Sequence, residues 1–410
     1  MEEILQLSRY LVRILKRDFR RTCLEKSLMA GRLTIITGQR GVGKTVFLVQ
    51  HLLDFCEDDQ VTGKALYLPA DHFSFAGKSL FETARHFYQL GCRLLCIDEI
   101  HKYPAWSKEL KSIYDTFPGL QVVASGSSAL EIRKGSHDLS RRAGVFSLPG
   151  LSFREFIGIR LSLSLPVHSL SDILADHEKI AVEIAATVES RQQKILALFH
   201  DYLTYGCFPY FQEFPDVRLY HLSLEQNMHH AVESDLPAIY PNLTGASIMK
   251  IKRLLAFIAG CVPFTPDLKN LKQLLEIGDE RTLKTYLKYL EDCGVIRTVT
   301  RSGYGMREFE KPERIYLDNP NQLYALAGGR SLNTGTLRET FFLDAVASRH
   351  AVSIPARGDF RVDNDKIIEI GGRSKGFSQI GSTPGSFLAL DDIEVGVGRK
   401  VPLWLFGFLH

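Results

Sequence analysis

Residues 38 to 46 combine glycines, one lysine and one threonine in a spacing that suits phosphate binding. The segment reads Gly38-Gln39-Arg40-Gly41-Val42-Gly43-Lys44-Thr45-Val46 and follows an apolar run, Leu33 to Ile36, that predicts a buried strand. Glycines allow successive backbone N–H groups to point at an anion. Lys44 would meet the β- and γ-phosphates, and the Thr45 hydroxyl would ligate Mg²⁺. A plain glycine-rich turn is the alternative, but the helical spacing after the loop favours a nucleotide site.

An acidic pair ends a second apolar run. Residues 93 to 97 predict a strand buried on both faces, as in parallel sheets, and Asp98 and Glu99 follow at once. Asp98 is predicted to hold Mg²⁺ through its water shell, and Glu99 to polarise the attacking water as a general base. A strand that merely ends in a charged turn is the alternative. An acid directly after the metal-binding aspartate is typical of ATPases with an extra central strand, so the predicted cofactors are ATP and Mg²⁺.

Two further groups could complete such a site. The strand predicted for residues 120 to 124 ends at Ser125, whose hydroxyl could contact the γ-phosphate as a sensor, with Ser127 as second choice; a serine-rich turn is the alternative. Arg141 and Arg142 precede another apolar run, and Arg142 is the preferred arginine finger for a neighbouring subunit. A surface salt bridge is the alternative. If Arg142 acted as such a finger, the chain would hydrolyse ATP faster as a homo-oligomer than as a monomer.

Composition restricts the class of protein. The 410 residues are 45% hydrophobic and 24% charged with net charge +3, which predicts a soluble globular protein of two to four domains and neither demands nor excludes nucleic acid. The seven scattered cysteines form no Cys-x-x-Cys pair, which favours a reducing cytoplasm. The acidic N-terminal segment and the absence of a long apolar run predict neither a signal peptide nor a membrane span.

The rest of the chain predicts helices before a short hairpin. Helical spacing covers residues 2 to 21, residues 157 to 194 are interpreted as a polar connector, and helical spacing resumes from 193 to about 260. Two helices over 268–275 and 280–293, then extended runs over 294–299 and 314–317, indicate a winged helix. The second helix carries side chains that could enter a DNA groove, namely Arg281, Lys284, Tyr286 and Lys288. A packing module is the alternative.

The last 80 residues contain a sparse acidic pattern. Glu339 on a predicted helix, Asp359 before a strand and Glu369 within the next strand form the constellation by which PD-(D/E)XK nucleases bind a metal. Those nucleases carry a lysine two residues after the glutamate, where this chain has Gly371. Arg373 and Lys375 follow two and four positions later, so the pattern departs from that of an active nuclease.

Several motifs together resemble a group of prokaryotic AAA-type ATPases that end in a nuclease-like domain of unknown function. Besides the phosphate-binding segment, the matching stretches are 97–101, 125–130, 139–144, 151–156, 312–319, 368–372 and 402–407. The resemblance implies an α/β fold: an ATPase domain with a parallel sheet over 1–160, a helical lid over 161–262, a winged helix over 263–328 and a nuclease-like domain over 329–410.

The predicted function is Mg²⁺-dependent ATP hydrolysis that drives a conformational change in the C-terminal domains. Two alternatives remain open. One is a nucleotide-regulated module that binds DNA through the winged helix. The other is an active metal-dependent nuclease.

Overall fold

The computed structural model describes residues 2–21, 29–56, 63–126, 139, 141–240, 242–301, 312–328, 331–381 and 383–410. The chain forms two compact units, Met1–Gly150 and Leu151–His410. The first unit thus ends at Gly150, whereas the sequence predicted an ATPase domain reaching 160. The boundaries predicted within the second unit remain predictions.

The first unit alternates strands with helices. Its strands are β1 (Leu33–Thr37), β2 (Ala65–Pro69), β3 (Leu94–Asp98), β4 (Gln121–Gly126) and β5 (Gly144–Ser147). Its α-helices are α1 (Glu2–Leu15), α2 (Lys44–Cys56), α3 (Leu80–Gln89) and α4 (Trp106–Thr116), and 3₁₀ turns cover Phe73–Phe75 and Ile100–Lys102. The strands predicted from apolar runs are all present.

The five strands form one parallel sheet in the order β2-β3-β4-β1-β5. This confirms the predicted α/β class with a parallel sheet. Strand β4 lies between β3 and β1. It is the extra central strand that the acidic pair indicated. Because the strands are parallel, their carboxyl ends meet at one edge of the sheet, and the loop after β1, the acids after β3 and Ser125 of β4 lie along that edge.

The two faces of this sheet carry different side chains. One face supplies Leu66 and Leu68 of β2 and Leu95 and Ile97 of β3 to a large apolar cluster with residues of α1, α3 and α4. Strand alternation turns the residues between them to the opposite face. There the Cys96 sulfur lies 3.8 Å from the Leu48 carbonyl oxygen of α2. The side chains opposite the apolar cluster therefore face the helix that follows the phosphate-binding segment.

The first helix is shorter than its spacing predicted. It ends at Leu15 and not at residue 21. Beyond that point the Gln50 amide donates to the Arg17 and Phe19 carbonyl oxygens, at 3.1 and 2.8 Å. These carbonyls bond to a side chain of α2 and not to the next helical turn. A tertiary contact thus ends the helix where the local sequence would have continued it.

The second unit contains ten α-helices within its described residues. They are α5 (Phe153–Leu161), α6 (Leu170–Glu189), α7 (Ile195–Asp201), α8 (Val217–His230), α9 (Leu236–Ile239), α10 (Gly245–Cys261), α11 (Leu268–Leu274), α12 (Glu280–Asp292), α13 (Pro320–Leu326) and α14 (Thr334–Ala347). Shorter helical turns, of 3₁₀ or π type, cover Tyr202–Gly206, Pro209–Glu213, Ala231–Asp235 and Leu403–Phe408.

The interpretation of residues 157 to 194 as a polar connector is wrong. This stretch includes most of α5 and all of α6, a helix of 20 residues. The helix begins with a capping box in which Ser169 and Asp172 bond each other's backbone N–H groups. Its buried side chains include Ile173, Ile180 and Ile184, which recur at helical spacing. Of the serines in this stretch, Ser162 ends α5 and Ser169 caps the start of α6.

The strands of the second unit form two sheets. Strands β6 (Ile296–Val299) and β7 (Arg314–Leu317) pair as an antiparallel two-stranded sheet, as predicted. The other strands are β8 (Val352–Ser353), β9 (Phe360–Val362), β10 (Lys366–Gly371), β11 (Ser386–Leu390) and β12 (Lys400–Pro402). They form a mixed sheet in the order β12-β11-β10-β9-β8, in which β10, β11 and β12 are parallel.

Candidate functional site

The loop between β1 and α2 is closely packed against neighbouring backbone. A Cβ atom on Gly38 would lie 2.5 Å from the Leu148 carbonyl oxygen, and Gly43 has φ +96°, so both positions require glycine. Val42 is buried and the helix begins at Lys44. The predicted nucleotide-binding residues 38 to 46 thus form one turn that leads into a helix N-terminus.

Lys44 points back across this loop. Its side chain is buried, and its ammonium donates to the carbonyl oxygens of Gly38 at 3.0 Å and Gln39 at 2.9 Å. The positive charge is therefore held inside the curve of the loop, where the sequence placed the β- and γ-phosphates.

A loop contact that the sequence did not reveal comes from Arg21. Its guanidinium donates to the Val42 carbonyl oxygen at 2.9 Å and to the carbonyl oxygens of Pro149 and Gly150 at 2.8 and 2.7 Å. One side chain thus links the phosphate-binding segment to the residues that follow β5. The partners of Arg21 are backbone groups far along the chain, which the local sequence does not indicate.

The Asp98 carboxylate accepts hydrogen bonds from three hydroxyl groups. Thr45 Oγ1 donates to Oδ2 at 2.7 Å, Tyr67 donates to the same oxygen at 2.8 Å, and Ser125 donates to Oδ1. The two residues predicted to bind the metal, Thr45 and Asp98, are therefore in direct contact. Their oxygens are of the kind that Mg²⁺ prefers.

Glu99 lies beside this carboxylate in an unusual backbone conformation. Its φ and ψ are 51° and 40°, in the left-handed region that costs free energy for a residue other than glycine. Its backbone N–H donates to Ser125 Oγ at 3.3 Å. The Glu99 side chain is 24% exposed, so it can reach water while Asp98 stays buried.

His101 is the nearest ionisable neighbour of Glu99 that the sequence gave no role. Its Nε2 lies 3.6 Å from Glu99 Oε2, and its side chain is buried. Burial, with the positive charges of Lys102 and Lys44 adding to it, lowers the pKa of His101 to about 4. His101 is therefore a neutral imidazole at pH 7.

Ser125 is fully buried and occupied on both sides, since it donates to Asp98 and accepts from the Glu99 backbone. It thus touches both acids that the sequence placed at the site. Ser127, the second candidate for the sensor, lies outside the described residues.

Arg142 lies on its own chain's Asp115. The guanidinium Nε is 2.8 Å from Asp115 Oδ1 and Nη2 is 3.1 Å from Oδ2, a bidentate pair on the surface. Its charge and hydrogen bonds lower the pKa of the Asp115 carboxyl. Arg141 is exposed. The structure therefore shows the surface pair that was the alternative interpretation, and a role as arginine finger stays a prediction.

A second polar cluster joins residues of β7, α14 and the C-terminal sheet, and it involves the predicted acidic constellation. Tyr316 of β7 donates to Glu339 Oε2 at 2.8 Å, and Arg314 Nη1 lies 3.3 Å from the same oxygen and 3.7 Å from Asp359 Oδ1. Burial, and then the negative charges of Asp359 and Glu369, raise the pKa of Glu339. The three predicted carboxylates are therefore close enough to affect one another.

Lys375 reaches this cluster through space that Gly371 leaves open. A Cβ on Gly371 would lie 2.5, 2.6 and 3.0 Å from Cβ, Cγ and Cδ of Lys375. The lysine chain passes over the glycine, and its Nζ lies 2.6 Å from Glu369 Oε1. That hydrogen bond raises the pKa of Lys375. Among the described residues no three acidic, histidine or cysteine side chains are arranged to hold a metal ion as they stand.

The helix predicted to enter a DNA groove exposes only part of its predicted contact set. Tyr286 of α12 is buried, and Lys288 pairs with Asp292 at 3.1 Å and Glu291 at 3.8 Å. Arg281 and Lys284 are exposed. Tyr286 is therefore unsuitable as a groove contact, and DNA binding through α12 stays a prediction.

Comparison with known proteins supports an AAA-type ATPase domain. Residues 30–157 match the family model described as an AAA domain. This segment contains the phosphate-binding loop, Asp98, Glu99, Ser125 and Arg142. Residues 196–332 match a domain of unknown function (DUF8612). No curated protein matches the chain.

Solved structures resemble the chain only loosely. The Walker-type ATPase PABY2304 of Pyrococcus abyssi is 15% identical, with 75% of this chain and 95% of that chain covered and a TM-score of 0.42. AMPPCP-bound DnaA from Aquifex aeolicus is 13% identical, with 65% and 85% covered and a TM-score of 0.27. Scores this low add no argument to the family match. Within the described residues, no helix has the length and apolar character needed to cross a bilayer.

The buried neutral imidazole of His101 predicts a pH-dependent stability of the first unit. Because the pKa of His101 is about 4 in the folded chain and about 6.5 for an ordinary histidine, the unfolded chain binds more protons between these values. We expect the free energy of unfolding to fall by about 2 kcal/mol from pH 7 to pH 5 through this residue. In His101→Gln, the decrease in the free energy of unfolding between pH 7 and pH 5 should be smaller by that amount.

The measurement is urea unfolding followed by tryptophan fluorescence. The chain has two tryptophans, so a Trp404→Phe background leaves only Trp106 in the first unit. His86→Gln, a change at a partly exposed histidine, is the control. An equal pH dependence in His101→Gln and the parent would contradict the prediction.

Proposed function

We propose that the chain is a Mg²⁺-dependent ATPase whose active site is built by the first unit. The observation that carries the proposal is the contact between Thr45 and Asp98, at 2.7 Å, beside the loop that surrounds the Lys44 ammonium. A P-loop hydroxyl and a strand-end aspartate are the pair that holds Mg²⁺ in this class of site. The match of residues 30–157 to an AAA domain supports the same function.

Each group then has a role. Backbone N–H groups of residues 38 to 46 and the Lys44 ammonium bind the phosphates, while Thr45 and Asp98 hold Mg²⁺. Glu99 orients and deprotonates the attacking water, and the neutral imidazole of His101 lies beside its carboxylate. Mg²⁺ supplies charge stabilisation for the transferred phosphoryl group when it is bound.

Ser125 is proposed to transmit the state of the γ-phosphate. Its hydroxyl joins the Asp98 side chain to the Glu99 backbone, which is held in a strained conformation. A change at either acid on hydrolysis would therefore change the hydrogen bonds of the other. We propose that this rearrangement starts the conformational change passed to the C-terminal domains.

We also propose that the helices α11 and α12 with the β6–β7 hairpin form a winged helix. The support is the order of these elements and an antiparallel bridge between Phe264 and Ile315, which adds a short third strand segment beside β7. Its position downstream of the ATPase domain would make it a receiver of the conformational change.

Replacing Glu99 by glutamine tests the ATPase proposal. The amide keeps the size of the side chain but cannot accept the proton of the attacking water, so turnover should fall by about a hundredfold or more. ATP binding, measured by calorimetry, should be retained. Lys44→Ala should weaken binding itself.

Glu82→Gln, at an exposed acid of α3, is the matched control and should hydrolyse ATP like the wild type. Absence of hydrolysis by the wild type would reject the proposed ATPase function. Full activity in Glu99→Gln would reject the role of Glu99 as general base.

The proposed arginine finger predicts that turnover per subunit rises with protein concentration. A surface pair such as Arg142–Asp115 is screened by water and contributes little to stability, so Arg142 can exchange its partner for a neighbour's phosphate at little cost. The concentration dependence should disappear in Arg142→Ala and persist in Arg141→Ala. Turnover that is independent of concentration in the wild type would argue against assembly through this residue.

A second candidate function is metal-dependent cleavage of DNA by the C-terminal sheet. The observation that favours it is the position of Lys375, whose Nζ lies on Glu369 although the lysine expected at position 371 is a glycine. Once Arg314 moved away, the metal would be ligated by Glu339, Asp359 and Glu369. The Lys375 ammonium would then lie beside the attacking water.

The test is cleavage of labelled DNA with Mg²⁺ or Mn²⁺. Activity should disappear in Glu369→Ala and Lys375→Ala and persist in Arg373→Ala and Lys44→Ala. The double variant Gly371→Lys with Lys375→Ala returns the ammonium to the position of the nuclease pattern and should restore part of the activity. No cleavage by the wild type with either metal would reject this candidate.

A further inference from the structure

Tyr67 lies on the sheet face that carries the active-site side chains. Its neighbours Leu66 and Leu68 belong to the apolar cluster on the other face, so alternation along β2 turns Tyr67 towards the face of α2. In the parallel register Tyr67 lies opposite Cys96, and Pro69 lies opposite Asp98. The phenol therefore reaches diagonally along β3, from the position of Cys96 to that of Asp98, two residues further on.

It does so with a well-formed hydrogen bond. The Tyr67 hydroxyl donates to Asp98 Oδ2 at 2.8 Å, and the tyrosine is only 2% exposed. Burial, and then the negative charge of Asp98, raise the pKa of the phenol. The geometry thus makes the phenol a hydrogen-bond donor to the aspartate that is proposed to bind the metal.

The other two donors to Asp98 have further duties. Thr45 would give its oxygen to the metal, and Ser125 also accepts from the Glu99 backbone. Tyr67 comes from the strand on the opposite side of β3 from Ser125, since the order is β2-β3-β4. Tyr67 therefore approaches the carboxylate from the β2 side, whereas Ser125 approaches it from the β4 side.

The backbone of Tyr67 is fixed as well. Strand β2 is an edge strand, and the Tyr67 N–H donates at 2.9 Å to Ser8 Oγ of α1. Ser8 is completely buried between the first helix and the sheet edge. The N-terminal helix thus covers the open edge of β2 at the one residue whose side chain reaches Asp98.

We propose that Tyr67 is a positioning residue for the metal-binding aspartate, and that Ser8 of α1 holds Tyr67 in place. The proposal rests on the proposed Mg²⁺-dependent ATPase function. Partners behind a metal-binding side chain orient it, and their loss weakens metal affinity by about 10- to 100-fold. Tyr67 bonds to Asp98 and is not among the groups proposed to bind the phosphates or Mg²⁺, so we expect its effect to be exerted through Asp98.

The test is the Mg²⁺ dependence of Tyr67→Phe, which keeps the buried ring and removes only the hydroxyl. We expect the Mg²⁺ concentration for half-maximal ATPase to rise about tenfold or more. Excess Mg²⁺ should restore most of the turnover, and affinity for ATP measured in EDTA should change less than about twofold, because the loop amides and Lys44 are untouched. Ser8→Ala should shift the Mg²⁺ dependence in the same direction by a smaller factor.

Tyr103→Phe is the matched control. It also removes a hydrogen bond from a tyrosine to a carboxylate, in this case Glu109 at 2.9 Å, but away from Asp98. A merely structural effect would lower the stability of both variants without moving the Mg²⁺ dependence. An unchanged Mg²⁺ dependence in Tyr67→Phe would therefore overturn the proposal.

A hydrolysis-independent measurement separates this proposal from the ATPase proposal. Binding of a non-hydrolysable ATP analogue is titrated with and without Mg²⁺ in the wild type and Tyr67→Phe. A wild type that binds the analogue more tightly with Mg²⁺ and yet does not hydrolyse ATP would reject the hydrolytic function. In that case, a loss of the Mg²⁺ effect in Tyr67→Phe would still support the positioning role. If Mg²⁺ has no effect on wild-type binding, both proposals fail.

Discussion

One buried carboxylate determines much of the arrangement of the first unit. Asp98 is 5% exposed, and an acid so far from water needs hydrogen-bond donors around it. Its donors come from three elements, because β2 supplies Tyr67, β4 supplies Ser125 and the start of α2 supplies Thr45. Only a sheet in which β3 lies between β2 and β4 brings these together. The strand order is thus a requirement of the site as well as a property of the fold.

In the second unit, charged side chains on one strand join the hairpin to the C-terminal helix. Arg314 and Tyr316 are two residues apart on β7, so they lie on the same face of the strand, and both contact Glu339 of α14. Just beyond the strand, Asp318 pairs with Arg297 of β6 at 2.8 Å, and Arg297 also pairs with Asp344 of α14 at 2.9 Å. Burial raises the pKa of Asp344 above its usual range, against the opposing effect of Arg297. The hairpin is therefore held on α14 by a row of polar contacts.

Local patterns in the sequence predicted the elements whose residues act with near neighbours. The phosphate-binding loop, the strands of the first sheet and the helix pair before the hairpin are all encoded in spacing over a few residues. The early end of α1 was not predictable because it depends on Gln50, which is distant in sequence. Helix α6 was missed because serine, a good helix cap, resembles a linker residue when the partner at Asp172 is overlooked.

The residues of the candidate site were also only partly predictable from local patterns in the sequence. Thr45, Asp98 and Glu99 follow from motifs, and Ser125 follows from its place at a strand end. Tyr67 and Arg21 could not be found in this way, since their partners lie on other strands or on backbone carbonyls. Alternation along β2 would have placed Tyr67 on the same face as Asp98, but only once the pairing of β2 with β3 was known.

The exchange between Gly371 and Lys375 bears on how related chains should be compared. The two positions depend on each other, because the lysine chain fills the volume that any side chain at 371 would need. An alignment judged column by column would record position 371 as a lost lysine and position 375 as an unremarkable one. A search for this constellation that fixes the lysine two residues after the glutamate would therefore pass over this chain, although the ammonium and the carboxylate meet at 2.6 Å. Scoring the two positions as a pair would identify such chains.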